Sequence, residues 1–92
     1  IEMQAPIAGV AVSVLLFGNL ADLLGRELSV VIPAEGCTVG DLRLQLCEGR
    51  TGARDALLRS DVRAALHKVI VSDTAWVSPG CEVAFLPIFS GG

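Results

Sequence analysis

Residues that usually carry chemistry are scarce in this sequence. Histidine occurs once, at His67, tyrosine is absent, and the aromatic rings are three Phe and one Trp. One imidazole cannot supply a histidine-based metal set. His67 falls inside the strand-like stretch from Val62 to Val71, where a structural or surface role is expected of it. The three cysteines, Cys37, Cys47 and Cys81, make an odd count with neither metal nor redox spacing. They read as free thiols in a reducing, cytoplasmic setting. Cys37 stands beside a helix start at Thr38, where a thiolate could be stabilised; structural burial or idle exposure is the expected outcome. The glycines Gly36, Gly40, Gly49 and Gly52 form no phosphate loop, because no Gly-Lys-Ser/Thr follows a strand. A standalone enzyme would need a constellation of acid, base or metal ligands, and none is visible. No bound cofactor and no metal are expected.

Long apolar runs are missing as well. The longest, Val10 to Phe17, is broken by Ser13 and falls far short of the ~18 to 20 residues of a membrane span. No secretory signal pattern opens the chain; Ile1 and Glu2 precede the only methionine, Met3. Positive charge is sparse and scattered over Arg26, Arg43, Arg50, Arg54, Arg59, Arg63 and Lys68, in a chain of net charge −3. Asp55 and Asp61 interrupt its densest part, which excludes a nucleic-acid footprint. Neither a membrane nor a nucleic acid is an expected partner.

What the chain has is apolar content, 52% of its 92 residues. That length makes one domain with a modest core that needs no staples. Residues 1–9 read as a loose arm, and 10–92 as the domain. Val10 to Phe17 is a strand. Asn19 caps a short helix over Leu20 to Leu24, ended by Gly25. Glu27 to Ile32 is a second strand with Leu28, Val30 and Ile32 on one face. Thr38 is the N-cap of the main helix, Asp41 favours its positive end, and Val39, Leu42 and Leu46 form one stripe. Gly49 or Gly52 stops it, and Ala53 to Arg59 forms a short further helix. Val62 to Val71 is a third strand region, Ala75 to Val77 a very short strand, and Ser78-Pro79-Gly80-Cys81 a type II turn. Glu82 to Leu86 is the last strand, with Val83 and Phe85 toward the helix. The first and last strands are the most apolar and belong side by side at the centre. The resulting fold class is α+β, a β-grasp with a mixed sheet of about five strands on one main helix.

The last residues, Phe85-Leu86-Pro87-Ile88-Phe89-Ser90-Gly91-Gly92, stay apolar almost to the end and then stop on two glycines. Pro87 has no N–H, so sheet pairing should end there. Ile88 and Phe89 then lie beyond the last strand, and apolar residues in such a place suggest a partner surface. Two glycines let an extended chain thread a narrow channel. Pro87 to Gly92 spans at most about 20 Å at ~3.3 Å per residue, enough to reach a buried site in another protein. A carboxylate at Gly92 is a poor electrophile, but as an acyl-adenylate it accepts a nucleophile readily, because AMP leaves well.

The strand Ala64 to Val71, the turn before Gly80, Glu82-Val83-Ala84-Phe85, Pro87 and Ser90-Gly91-Gly92 resemble the MoaD family, the small subunit of molybdopterin synthase. Val14-Leu15-Leu16-Phe17, Leu23-Leu24-Gly25 and the register of Thr38-Val39 and Leu42 agree with it. The resemblance implies a ubiquitin-like fold and a sulfur carrier. An adenylating and sulfurating enzyme would use ATP to activate Gly92 and install a C-terminal thiocarboxylate. The tail, Pro87, Ile88, Phe89, Ser90, Gly91 and Gly92, would insert into the large catalytic subunit of the synthase, in a heterotetramer, where the sulfur builds the dithiolene of the molybdenum cofactor. Phe85 would be a central apolar contact with partners. The chain departs from the family at His67 (Asn in many relatives), Ala21 (Arg), Ile88 (a second Pro) and Cys81 (an acidic residue). Two alternatives stay open: a sulfur carrier of thiamine type, and a ubiquitin-like modifier or binding module that carries no sulfur. The segment Arg50 to Asp61 favours the molybdopterin reading over the shorter thiamine-type chains.

Overall fold

The computed structural model describes residues 9–59 and 61–88. Ten elements follow in order: β1 (Gly9–Leu16), α1 (Asn19–Leu24), β2 (Glu27–Pro33), β3 (Cys37–Thr38), α2 (Val39–Cys47), α3 (Ala53–Leu57), β4 (Val62–Leu66), β5 (Val69–Val71), β6 (Trp76–Val77) and β7 (Glu82–Pro87). Five strands form a mixed sheet in the order β2-β1-β7-β4-β5. β1 and β7 pair in parallel at its centre, with Leu16 opposite Phe85; the other pairings are antiparallel. This is the ubiquitin-like β-grasp that the strand order implies. Of the arm expected over 1–9, only Gly9 is among the described residues, and it already pairs with Pro33 as the first residue of β1.

Period-2 alternation places the core. Val12, Val14 and Leu16 of β1, Val30 and Ile32 of β2, and Val83 and Phe85 of β7 are all buried on one face. Val39, Leu42 and Leu46 of α2 meet them with no exposed surface. Burial of each such side chain contributes ~1.5–3 kcal/mol. The helix start is a full capping box: Asp41 N–H donates to Thr38 Oγ1 at 3.0 Å, and Thr38 N–H donates to Asp41 Oδ2 at 3.3 Å. Thr38→Ala should therefore cost about 1 kcal/mol, read as a lower urea midpoint at unchanged m-value. An unshifted midpoint would mean that packing alone holds the helix end.

Four local expectations are corrected. Asn19 does not cap α1; Gly18 does, at φ 59, without a side-chain cap bond. That positive φ is what favours glycine there, and a Cβ would in addition lie a tight 3.0 Å from Pro87 Cγ. Val62 to Val71 is not one strand region with His67 inside it. It is a hairpin, β4 and β5, turned by His67 and Lys68 at φ 49 and 71. Two positive φ values in succession match the turn that twists with its strands, but neither residue is the Asn or Gly that signals it. Cys37–Thr38 pairs with Trp76–Val77 as a second, two-stranded sheet that the sequence does not announce. Finally, Pro87 does not end the pairing. It lies opposite Val62, and Ile88 N–H donates to Asp61 O at 2.7 Å. Antiparallel residues donate alternately, so the position without an N–H is one that β4 does not call on. On the other side β1 has already ended, with Phe17 N–H donating to Phe85 O at 3.2 Å.

Candidate functional site

The candidate site is the root of the tail and the surface around it. Centre-sheet pairing carries β7 to Pro87, and the bond from Ile88 N–H to Asp61 O extends the anchor by one residue. Leu86 and Pro87 are half-buried. Ile88 is 40% exposed, and nearby Phe17, just beyond β1, is 49% exposed. Phe17 lines a groove of about 570 Å³ with Leu15, Gly18, Ala21, Asp22 and Arg26. Phe89, Ser90, Gly91 and Gly92, the remaining residues expected to insert into a partner, lie outside the described residues.

The sheet face away from the core adjoins this root. Leu15, Ala84, Ala65 and Ile70 stand in one row across β1, β7, β4 and β5, each the register partner of the next. Leu86 follows on β7 beside Arg63, and Ala11 pairs with Val31 at the other end of the face. Ile70 is 51% and Val31 60% exposed. Leu15 and Ala84 are half-buried and Ala65 is buried, so the exposed apolar surface of this face is carried by Ile70 and Val31, and such surface is suited to cover by another protein.

Phe85 does not belong to that surface. Its side chain has no exposed area and faces α2, as the alternation of β7 requires. The partner contact expected of Phe85 has no exposed side-chain surface to rest on: the ring is core, as the expected facing of β7 has it, and Leu86, on the opposite alternation, takes the outward place.

Arg43 was not among the expected site residues. It is 6% exposed. Its Nη1 donates to Leu57 O at 2.6 Å and to Val62 O at 3.1 Å, and its Nη2 pairs with Asp73 Oδ1 at 2.8 Å. The guanidinium lies 5.1 Å from the centroid of the Phe85 ring, a cation–π distance. The outer edge of β4 at Val62 is unpaired by β5, and Arg43 closes its carbonyl while Arg59 O accepts from its N–H. An edge that could template aggregation is thus blunted by one side chain. The signal was available in the sequence, since Arg43 sits four residues after Val39 and three before Leu46, inside the apolar stripe.

Charge elsewhere is local. The Arg59 hydrogen bond, 3.0 Å from Nε to Oδ1, holds the Asp61 carboxyl below the usual carboxylate range and raises Arg59 in turn. Cys37 is buried, and burial first, then the Asp41 charge, pushes its thiol up rather than down. Proximity to a helix start is outweighed by loss of solvent. Burial also raises Cys47, against lowering by Arg54 and Arg43, and its Sγ donates to Arg43 O at 3.3 Å. Iodoacetamide at pH 8 should therefore spare Cys37 in the native protein and label it only after urea is added. Rapid native labelling of Cys37, read by peptide mass, would contradict its burial. His67 is exposed at the hairpin tip, and among the described residues no group of His, Cys, Asp and Glu could hold a metal. No helix among them is long and apolar enough to cross a membrane.

The model of the ThiS family matches residues 14–92. The chain belongs to the ThiS family. Its fold is that of the ubiquitin-like sulfur carriers of the MoaD/ThiS superfamily. Three solved structures share that fold. The HVO 2177 protein of Haloferax volcanii superposes with a TM-score of 0.79 at 15% identity, over 99% of this chain and 94% of its own. A Pyrococcus furiosus protein assigned as molybdopterin converting factor, subunit 1, gives 0.72 at 23%, over 87% and 99%. The modifier SAMP1 of Haloferax volcanii gives 0.68 at 26%, over 89% and 99%. No curated protein matches the sequence.

Proposed function

We propose that this ThiS-family chain is the small subunit of a molybdopterin synthase and carries sulfur as a thiocarboxylate on Gly92. The observation that carries the proposal is the tail root. The central strand ends at Pro87 beside a partly exposed apolar face, and the family match runs through Gly92. A carrier needs a rigid anchor and a docking face at the root of its reaching end, and an anchored β7 beside partly exposed apolar residues supports that reading. The likeness to a molybdopterin converting factor subunit supports the choice of pathway.

The chemistry lies in the tail and in its partners. A Gly92 carboxylate oxygen attacks the α-phosphate of ATP on an adenylating enzyme, and pyrophosphate leaves. A sulfide-level sulfur nucleophile then attacks the acyl carbon and AMP leaves, which yields the thiocarboxylate; a persulfide donor would give an acyl disulfide first, and a reducing thiol would then cleave its S–S bond. The large catalytic subunit takes that sulfur for dithiolene formation, in a heterotetramer with two copies of each subunit. The chain itself supplies no acid or base; it positions the acyl group, and it works in the cytoplasm.

The likeness to SAMP1 favours a second reading, a modifier joined to amines through the same activated carboxyl. Intact mass after incubation with an adenylating enzyme, ATP and a sulfur donor separates the two. Replacement of one oxygen by sulfur supports the carrier. An amine-linked adduct without sulfur supports the modifier, and an unchanged mass contradicts both.

A further inference from the structure

We infer that the outer edge of β5 pairs with β5 of a second copy of this chain, antiparallel about a two-fold axis at Ile70, so that two sheets join into one. The sheet has two edges, β2 and β5. Bonds across the sheet fix what β5 offers. Ile88 N–H donates to Asp61 O and His67 N–H to Glu82 O, so the odd-numbered residues of β4 bond to β7. Ala64 and Leu66 then bond to β5, through Val71 and Val69. Ile70, opposite Ala65, directs both its N–H and its C=O away from the sheet.

Other open backbone in the sheet is blunted. Leu16 N–H donates to Arg26 O, and the same alternation turns Glu27, Ser29, Val31 and Pro33 outward on β2. Of these, Val31 O already accepts from Gln45 Nε2 at 2.8 Å, Pro33 has no N–H, and Glu27 carries a charge. At Val62 the free end of β4 is closed by Arg43 and by Arg59 O. On β5, no side chain among the described residues bonds to the backbone of Ile70. Val69, Ile70 and Val71 are β-branched and apolar, and Val69 is 63% exposed, Ile70 51%. Such an edge is a template for another strand.

The order of residues along the edge selects a second copy. About a two-fold at Ile70, the two Ile70 residues exchange both backbone bonds, and Val69 lies opposite Val71. Lys68 lies opposite Ser72, next to Asp73, whose side chain is 55% exposed beyond its bond to Arg43. Apolar residues thus meet apolar ones, and a cation meets a carboxylate. A parallel, in-register pairing would set Lys68 beside Lys68. Cross-strand β-branched pairs and opposite charges stabilise, and a self-complementary edge about a two-fold closes at the dimer. The pairing lies in the plane of the sheet, so the open face beside the tail root stays free. Three residues a side bury less than the ~1,200 Å² at which standard interfaces begin, so the dimer is a weak one.

The test is sedimentation equilibrium of the full chain from ~20 µM to ~1 mM, a range that covers weak association. The mean mass should climb from 9.6 kDa toward twice that value. Ile70→Lys sets like charges opposite each other at the axis and should raise the dissociation constant at least about tenfold. Val31→Lys changes a similarly exposed apolar residue on β2 and should leave that constant within about twofold. Both substitutions fall on exposed side chains, and dispersed amide spectra establish that the variants fold. A mean mass of 9.6 kDa throughout overturns the pairing and leaves the edge to a strand of another protein. Association that Ile70→Lys leaves intact also overturns it. Association weakened equally by Val31→Lys is stacking of open faces, and it overturns the edge pairing as well.

Discussion

Removal of Gly92 should leave a folded protein that takes up no sulfur. No core residue described here lies beyond β7, and the last described backbone bond of the tail root is the one from Ile88 N–H to Asp61 O. Loss of one terminal glycine should therefore shift the melting temperature by less than about 4 °C, the equivalent of well under 1 kcal/mol in a domain of this size. The chemical effect runs the other way. Deletion draws the carboxylate back by ~3.3 Å along an extended tail. A reacting group misplaced by even 1 Å can cost ~10²-fold in rate, and the retreat here is larger. Sulfur incorporation, read by intact mass against time, should fall by at least about a hundredfold. Uptake at the full-length rate would sink the proposal that Gly92 carries the acyl group. A melt lowered by far more than 4 °C would instead show that the tail contributes to the fold.

The elements legible in the sequence were those whose signal is local. The β2 and β7 alternation sorted core from open face, whereas β1, an apolar run, gave its two faces only in the structure, and Thr38 with Asp41 declared the start of α2 by chemistry three residues apart. The pairing of β1 with β7 followed from their shared apolar character. What escaped depends on distant partners or on backbone conformation. Cys37–Thr38 becomes a strand only because Trp76–Val77 lies beside it. His67 and Lys68 turn the hairpin without the residues that normally mark such a turn. Arg43 looked like one of several scattered cations, because its acceptors, Leu57 O, Val62 O and Asp73, lie 14, 19 and 30 positions away. At the candidate site, the same alternation that turned Phe85 inward also left Leu86 to the open face. The family likeness suggested a partner contact at Phe85, whereas the pleat decides which side chain a partner can touch.

Phe85→Ala is the sharpest test of that assignment, and a large loss of stability is the expected result. The ring has no exposed surface and fills the space between α2 and the central strands. Truncation of a buried phenylalanine costs ~3–5 kcal/mol, from lost transfer free energy and from the cavity left behind. Here the change also removes the face on which the Arg43 guanidinium rests at 5.1 Å. Domains are stable by only ~5–15 kcal/mol in total, so the variant should sit near the edge of folding. The urea midpoint should drop steeply with the m-value retained. Phe85→Leu, which keeps most of the volume, should lose considerably less. Partner affinity separates the two roles. Under conditions where Phe85→Ala remains folded, a core ring predicts near-normal binding per folded molecule. A surface contact predicts lost binding at normal stability. The second outcome would mean that Phe85 leaves the core when a partner docks, and that the apolar row from Leu15 to Ile70 is not by itself the docking face.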